Sequence, residues 1–335
     1  MGEKVFRQVQ WGKESSAAQG TPVAAIRALA AECNVPKDRN YQFIHDTNGR
    51  RGGPNRTAVY QYFADGITLN FPHGYYQALP GVFSCCLKGD ITPTTASGGA
   101  YTWTFTPVFT STASNLVDSL TMRVGDETEQ YVMEFVQFRS VVIAGSAGDD
   151  APITITANGY GRQVTVGAFT TTLTLGTLQP MVGNLSQLWV NNTFAVLGSG
   201  AAVSQTLVDW NIEIFGGQHP KFFADGARYF STVGQSDIYL VATFTFEGNS
   251  TADGYFDLFQ AGTAKAIRFK VTSGTDYITG STPYSMVIDA YGKFEEVIPL
   301  AGERDGNSLH TAIFRSMDDG TNAVKVVVVT NNGTL

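Results

Sequence analysis

Apolar and polar residues alternate with a period of two over much of this chain. Residues 101–107 alternate aromatic side chains with threonines, and residues 120–124, 153–156 and 244–247 alternate in the same way. Such alternation places apolar side chains on one face of a sheet and polar ones on the other. Residues 325–330 form a nearly continuous apolar run, which is typical of a strand covered on both faces.

Clusters rich in glycine and aspartate separate these segments, at residues 98–99, 125–126, 145–150, 216–217 and 318–320. Glycine and aspartate favour the backbone conformations of turns. Short strands with turn signals between them favour sandwich or barrel domains. The pattern therefore predicts an all-β fold with little helix.

Three short helices are predicted. A proline in the first helical position favours a helix over residues 21–31. Two more are predicted over residues 253–260, with Asp253 as the N-cap, and over residues 73–79, ended by Pro80.

An internal repeat would explain the length of the chain. The tripeptide at residues 116–118, Leu-Val-Asp, recurs at residues 207–209, an offset of 207 − 116 = 91. A repeat of this size indicates two related β domains. We predict an N-terminal arm and two domains, over residues 1–20, 21–180 and 181–335 respectively.

The composition excludes some classes of protein. Only 15% of the 335 residues are charged, against ~25% in a typical soluble protein. Glycine (36) and threonine (37) are abundant, and the formal net charge is −7. A broad basic surface for nucleic acid is therefore not expected, because it needs clustered Lys and Arg. With 43% hydrophobic residues, the chain is also too apolar for an acidic disordered protein.

No arrangement of residues points to an enzyme, a metal or a cofactor, and we expect none of the three. The four histidines are scattered and none has metal-ligand spacing to a cysteine or carboxylate. The three cysteines, one alone and two adjacent, do not make a disulfide framework, so we expect free thiols. No signal peptide or membrane-spanning segment is expected either.

Two segments are candidates for contacts between subunits. The first lies in the arm, where Phe6, Trp11 and Lys13 combine apolar and basic side chains in a turn-like context. Docking of this arm on its own domain is the alternative. The second is the basic run at Arg50, Arg51 and Arg56, for which a solvated loop is the alternative.

The order of several segments resembles the two-domain tail tube (major tail) proteins of long-tailed phages. Residues 12–16 and 20–25, Gly-Lys-Glu-Ser-Ser and Gly-Thr-Pro-Val-Ala-Ala, are similar to the opening segment of that family. Further similar segments follow in the family's order at residues 101–107, 119–125, 138–143 and 255–263, the last closing on Ala-Gly-Thr. The basic run has no counterpart in the pattern.

The resemblance implies a structural virion protein. It implies two tandem β-sandwich domains per chain, homotrimeric rings with pseudo-hexagonal symmetry, and strands from all six domains lining a β-barrel tube. Rings would stack axially, with tape-measure and tail-terminator or tip proteins as partners, and viral DNA would pass through the lumen without specific binding. The expected location is the virion tail, assembled in the host cytoplasm.

Two alternatives remain open at this point. One is another virion β-protein, such as a capsid decoration or tail-terminator subunit. The other is a carbohydrate-binding sandwich that uses Trp103, Trp189 or Trp210 as a platform.

Overall fold

A computed structural model describes residues 7–45, 52–54, 56–95, 97–109, 115–148, 152–204 and 206–335. In the first half the elements are Gln8–Lys13 (β1), Arg27–Leu29 (β2), Glu32–Cys33 (β3), Arg39–Ile44 (β4), Arg56–Tyr62 (β5), Ala64–Phe71 (β6), Leu79–Ser84 (α1), Thr94–Thr95 (β7), Tyr101–Phe105 (β8), Leu120–Gly125 (β9), Gln130–Ser146 (β10), Thr154–Gly161 (β11) and Val164–Val166 (β12).

In the second half they are Ser186–Asn191 (β13), Leu207–Phe215 (β14), Gln218–Lys221 (β15), Thr232–Gln235 (β16), Tyr239–Glu247 (β17), Ser250–Gln260 (α2), Lys265–Thr279 (β18), Thr282–Arg304 (β19), Asn307–Ser316 (β20) and Val324–Thr330 (β21). We call residues 8–166 the first unit and residues 186–330 the second unit. The predicted all-β fold with minor helix is confirmed, and the strands pair in antiparallel fashion.

The strands of the two units pair in the same order. In the first unit β3, β6, β11 and β10 are successive neighbours, and β10 also pairs with β9, which pairs with β1. In the second unit β14, β17, β20 and β19 are successive neighbours, and β19 also pairs with β18, which pairs with β13. A separate two-stranded hairpin, β4–β5 or β15–β16, follows the first strand of each series. One strand arrangement therefore occurs twice.

The pairing register is also the same in both units. Leu69 lies opposite Ala157 in the first unit, and Phe244 lies opposite Ala312 in the second. The offsets are 244 − 69 = 175 and 312 − 157 = 155. The offset falls because the first unit has extra residues between α1 and β9, which hold β7 and β8.

A β-bulge occurs at the same place in each unit. The β10–β11 register shifts between Phe138 and Ser140, and the β19–β20 register shifts between Phe294 and Glu296, an offset of 156 at both residues. A bulge adds one residue to one strand and bends it locally. A shared bulge shows that the two units repeat in detail and not only in strand order.

The predicted repeat at an offset of 91 is wrong. That offset would place β10 over residues 221–237, where the structure has mostly loop and the short strand β16. The true equivalences, at 155–156 and 175–177, rest on backbone pairing. Few side chains are identical between paired positions, and this leaves little trace in the sequence.

Strands of the two units pair with each other, and the apolar core is continuous between the units. Strand β14 of the second unit pairs with β10 of the first, and β8 of the first unit pairs with β21 of the second. One continuous cluster of buried apolar side chains contains residues of both units, among them Phe138 and Phe244. The predicted boundary at residue 180 lies in the connection between the units.

Two of the three predicted helices are wrong. Residues 21–31 contain no helix: residues 27–29 form β2, which pairs with β1, and the Ile26 N–H donates to the Trp11 carbonyl (2.9 Å). The helix predicted over residues 73–79 was expected to end before Pro80, but α1 begins at Leu79. Pro80 lies in its first turn, where a proline fits because no N–H is needed there.

The helix predicted over residues 253–260 is confirmed as α2. It begins three residues earlier than predicted. Its cap is Asn249, whose side-chain oxygen accepts from the N–H groups of Thr251 (2.9 Å) and Ala252 (3.1 Å). Asp253 instead lies in the first turn, where a negative charge suits the helix dipole.

For the part of the predicted arm over residues 1–20 that the structure describes, the alternative of docking on its own domain holds. Residues 8–13 form β1, which is paired with β2 on one edge and β9 on the other. Glu14 is 1% exposed and its carboxylate accepts from the Gly20 N–H (2.6 Å), the Ser119 hydroxyl (2.6 Å), the Thr121 hydroxyl (2.9 Å) and the Phe135 N–H (2.9 Å). This segment therefore docks on its own unit.

Candidate functional site

The junction between the two units is an edge-to-edge strand pairing. Residues 140–146 of β10 pair with residues 209–215 of β14 in unbroken antiparallel register. Val141 and Ile214, opposite each other, are both fully buried. By pairing order β14 is the counterpart of β3, so the second unit joins the first by adding its β3-like strand to β10.

The hairpin β15–β16 covers the end of this junction. Phe230, in its loop, is fully buried, with its ring 4.8 Å from that of Phe135 and 5.6 Å from that of Tyr160. The Arg162 guanidinium lies over the rings of Phe135 (4.9 Å) and Tyr229 (4.7 Å). Desolvation raises the pKa of Tyr160. The second unit thus closes a face of the first with aromatic and cation–π contacts.

The counterpart hairpin, β4–β5, is not packed in this way. Tyr41, Phe43 and Tyr60 are 53%, 66% and 59% exposed. Strands β4 and β5 form a separate two-stranded sheet, and at its base the Tyr62 N–H donates to the Arg228 carbonyl (2.8 Å) of the β15–β16 loop. A two-stranded ribbon is marginally stable by itself in water, and clustered exposed aromatic side chains are typical of an interaction surface.

The second unit has a face that corresponds to the covered face of the first. With the offsets of 155 and 156, Tyr160 corresponds to Arg315, Arg162 to Met317 and Arg139 to Glu295. No hairpin of the described chain covers this face. An open cavity of about 650 Å³ lies here instead, and its lining residues include Ile238, Tyr239, Arg315 and Met317.

The strands that correspond to β10 and β14 of the junction are β19 and β3. Beyond Gly292, β19 pairs only with β20, so no described strand pairs with its other edge up to residue 304. Ile298 and Leu300 on this stretch are 43% and 74% exposed, and Leu300 has a positive φ of 55° in a second bulge. Among the described strands, β3 pairs only with β6, and a cavity of about 370 Å³ lies beside it.

The structure places the predicted contact residues as follows. Phe6, Arg50 and Arg51 lie outside the described residues. Trp11 is 1% exposed in the core of its own unit, so its prediction as a contact between subunits is wrong. Arg56 is exposed in β5, opposite Ile44, and stays a candidate.

Lys13 forms ion pairs within its own chain. Its ammonium lies 2.9 Å from the carboxylate of Asp118 and 3.7 Å from that of Asp90. Asp118 is 2% exposed, so its charge needs this partner. Lys13 therefore joins the end of β1 to the segment that precedes β9.

The exposed apolar residues of β4, β5 and β19 were missed by sequence reasoning. Residues 297–300 are a short apolar run, and residues 41–44 are apolar except for Gln42, so both segments would normally be assigned to a core. Only the pairing shows that these strands have faces or edges with nothing of the described chain against them.

Two of the three tryptophans considered for a carbohydrate platform are in the core. Trp103 and Trp210 are 2% and 3% exposed, and the Trp103 ring N–H donates to the Asn332 carbonyl (2.8 Å). They cannot stack on a sugar, so this part of the alternative is wrong. Trp189 is half-buried and its ring N–H points at the Gly200 carbonyl (3.4 Å).

All three cysteines are free thiols. Burial raises the pKa of Cys33 and Cys86 to about 12 and that of Cys85 well above its ordinary value. Such thiols are poor nucleophiles at neutral pH.

Within the described residues, no three His, Cys, Asp or Glu side chains are grouped so that they could hold a metal ion. The same part of the chain contains no helix that combines the length and apolar character needed to cross a membrane. No family model matches the sequence, and no curated protein is similar to it.

Proposed function

We propose that this chain is the major tail tube subunit of a long-tailed bacteriophage, a structural virion protein without enzymatic activity. In this proposal the subunits assemble into rings, the rings stack into a tube, and the tube is the conduit for viral DNA. The proposal starts from the order of the segments that resemble the family.

The observation that carries the proposal is the duplication and the way in which its halves are joined. One unit adds to the other by pairing β14 with β10, and among the described strands the equivalent β3 pairs with β6 and the equivalent stretch of β19, beyond Gly292, pairs with β20. An interface that joins two different surfaces head to tail closes into a ring when its rotation allows. Three chains would then supply six similar units around one axis.

The charge favours a conduit over a DNA-binding protein. The formal net charge is −7, so a lumen built by this chain would not hold the phosphate backbone through a broad positive surface. We therefore expect DNA to pass without specific binding and without a cofactor. The partners would be further copies of the chain, the tape-measure protein and the terminator or tip proteins, in the virion tail.

Electron microscopy of the purified protein over a range of concentrations tests this proposal. The expected result is rings with six-fold appearance in end-on view, and tubes of stacked rings at high concentration. Rings that never stack would favour the alternative of a tail-terminator or decoration subunit. Protein that stays monomeric at every concentration would refute both virion assignments.

A further inference from the structure

We propose that the junction between the two units is repeated between chains, with a defined register. The free edge of β19 at residues 296–298 would pair with residues 36–38, just after β3, in a second copy. The β4–β5 hairpin of that copy would cover the cavity beside Arg315 and Met317. This inference rests on the proposed self-assembly and specifies its interface.

The register follows from the pairing within one chain. Val142 lies opposite Glu213 at the junction of β10 and β14. The β10-to-β19 offset of 156 takes Val142 to Ile298. Cys33 of β3 lies opposite Leu69, and Trp210 of β14 lies opposite Phe244, which is the equivalent of Leu69. The offset from β3 to β14 is therefore 210 − 33 = 177. With this offset, the residue equivalent to Glu213 is Pro36. Ile298 of one copy is therefore placed opposite Pro36 of the next.

A proline fits this position of the ladder. The Ala147 N–H donates to the Val208 carbonyl (2.7 Å), which makes that pair a hydrogen-bonded one. Hydrogen-bonded and non-hydrogen-bonded pairs alternate in an antiparallel ladder. Val142 and Glu213, five positions away, are then a non-hydrogen-bonded pair. Pro36, in the place of Glu213, has no N–H to give and none is needed there.

The cavity beside Arg315 and Met317 lies where the hairpin of a second copy would fill it. The face at Tyr160 and Arg162 is closed by the aromatic side chains of β15–β16, whereas the equivalent face at Arg315 and Met317 is an open cavity. The hairpin equivalent to β15–β16 is β4–β5, and it carries exposed aromatic side chains. Covering one with the other would remove both exposed surfaces at once.

The cavity beside β3 has a counterpart beside β14 within the same chain. The cavity beside β14 is lined by Trp210 and by Ala147, the residue directly after β10. The cavity beside β3 is lined by Cys33, the equivalent of Trp210, and by Val9 and Val35. Leu300 is exposed and lies two residues beyond the proposed pairing at residues 296–298, so in a neighbouring copy it is placed to enter this cavity.

The charges of the two edges are complementary. Glu295 and Glu296 are exposed on β19, and Lys37 and Arg39 are exposed after β3. The register also puts Glu296 opposite Asp38, whose carboxylate lies 3.9 Å from the Arg39 guanidinium. Arg39 would therefore offset the one like-charge pair.

Disulfide trapping tests the register. In a Cys33→Ser background, one preparation carries Ile298→Cys and a second carries Pro36→Cys. Opposed residues of a non-hydrogen-bonded pair have Cβ atoms ~4.5–5.5 Å apart, close enough for a disulfide after small movement. Lys37→Cys is the matched control, because the next residue of a strand points to the other face.

The expected result is a disulfide-linked dimer when Ile298→Cys is mixed with Pro36→Cys and oxidised. Neither variant alone should give it, and Lys37→Cys should give at least about tenfold less. A dimer from Ile298→Cys alone would indicate a two-fold pairing of β19 edges and would overturn the inference. Rings without the mixed disulfide would also overturn it, while leaving the proposed function intact.

The remaining outcomes separate the two proposals further. The mixed disulfide without stacked rings would support the interface and refute the tube. Neither disulfide nor assembly would refute both. For the hairpin, we expect Phe43→Ser to raise the concentration for half-assembly at least about tenfold. The control is Val196→Ser, an exposed residue (44%) outside both surfaces, and an equal effect of the two variants would count against the hairpin contact.

Discussion

Replacing Phe230 by alanine should weaken the junction between the units more than the same change at Phe223, an exposed residue of the same hairpin loop. Phe230 is fully buried although it lies in a loop, whereas Phe223 is 56% exposed. The Phe230 ring contacts those of Phe135 (4.8 Å), Tyr160 (5.6 Å) and Phe222 (6.0 Å). All the contacts with Phe135 and Tyr160 cross from the second unit to the first.

The size of the effect follows from burial. Removing a buried phenylalanine side chain loses its transfer free energy and leaves a cavity, which together cost ~3–5 kcal/mol. The aromatic pairs contribute ~0.5–1.5 kcal/mol each beyond area burial, so the higher part of that range is expected. Phe223→Ala should change stability by no more than ~0.5 kcal/mol, as surface substitutions do.

Urea unfolding, followed by circular dichroism and tryptophan fluorescence, measures both variants. The expected result is a lower midpoint for Phe230→Ala and an unchanged midpoint for Phe223→Ala. A loss below ~1 kcal/mol for Phe230→Ala would show that this hairpin does not close the junction. Equal losses for the two variants would refute it as well.

Three further predictions concern single sites. Asn249→Ala removes the cap of α2 and should cost ~0.5–2 kcal/mol in thermal or urea unfolding, whereas an unchanged midpoint would contradict the cap. Cys86 should not react with a thiol reagent at pH 8 until the protein unfolds, because burial raises its pKa to about 12, and fast reaction of the native protein would contradict this burial. Asp118 has a pKa raised chiefly by desolvation, so its protonated form is favoured in the folded state and its contribution to stability falls as pH rises from 3.8 through the raised pKa. Asp118→Asn should remove that pH dependence in urea titrations, and an unaltered pH profile would show that Asp118 is not its source.

The strands were predictable because their side-chain pattern is strong. Residues 101–105 and 239–247 have alternating buried and less buried side chains, as the period of two requires. The segment at 21–31 was mispredicted because good helix formers there are overruled by pairing with β1. Local propensity carries no information about a partner strand that lies elsewhere in the chain.

The duplication was harder to predict from the sequence than the strands. Equivalent positions carry unlike residues, such as Cys33 and Trp210, or Ile155 and His310. What repeats is the backbone pairing and its bulge, which many side chains can satisfy. The exposed edge of β19 and the exposed hairpin β4–β5 are products of the same pairing, so they too became visible only in the structure.

The mass of the smallest closed assembly in solution decides whether the chains join head to tail into a ring. The chain has a mass of 36.0 kDa, so a head-to-tail ring of three chains has 3 × 36.0 = 108 kDa. Native mass spectrometry or light scattering should find this species, with larger ones at multiples of it. A stable two-fold dimer of 2 × 36.0 = 72 kDa, or a monomer at every concentration, would contradict the account.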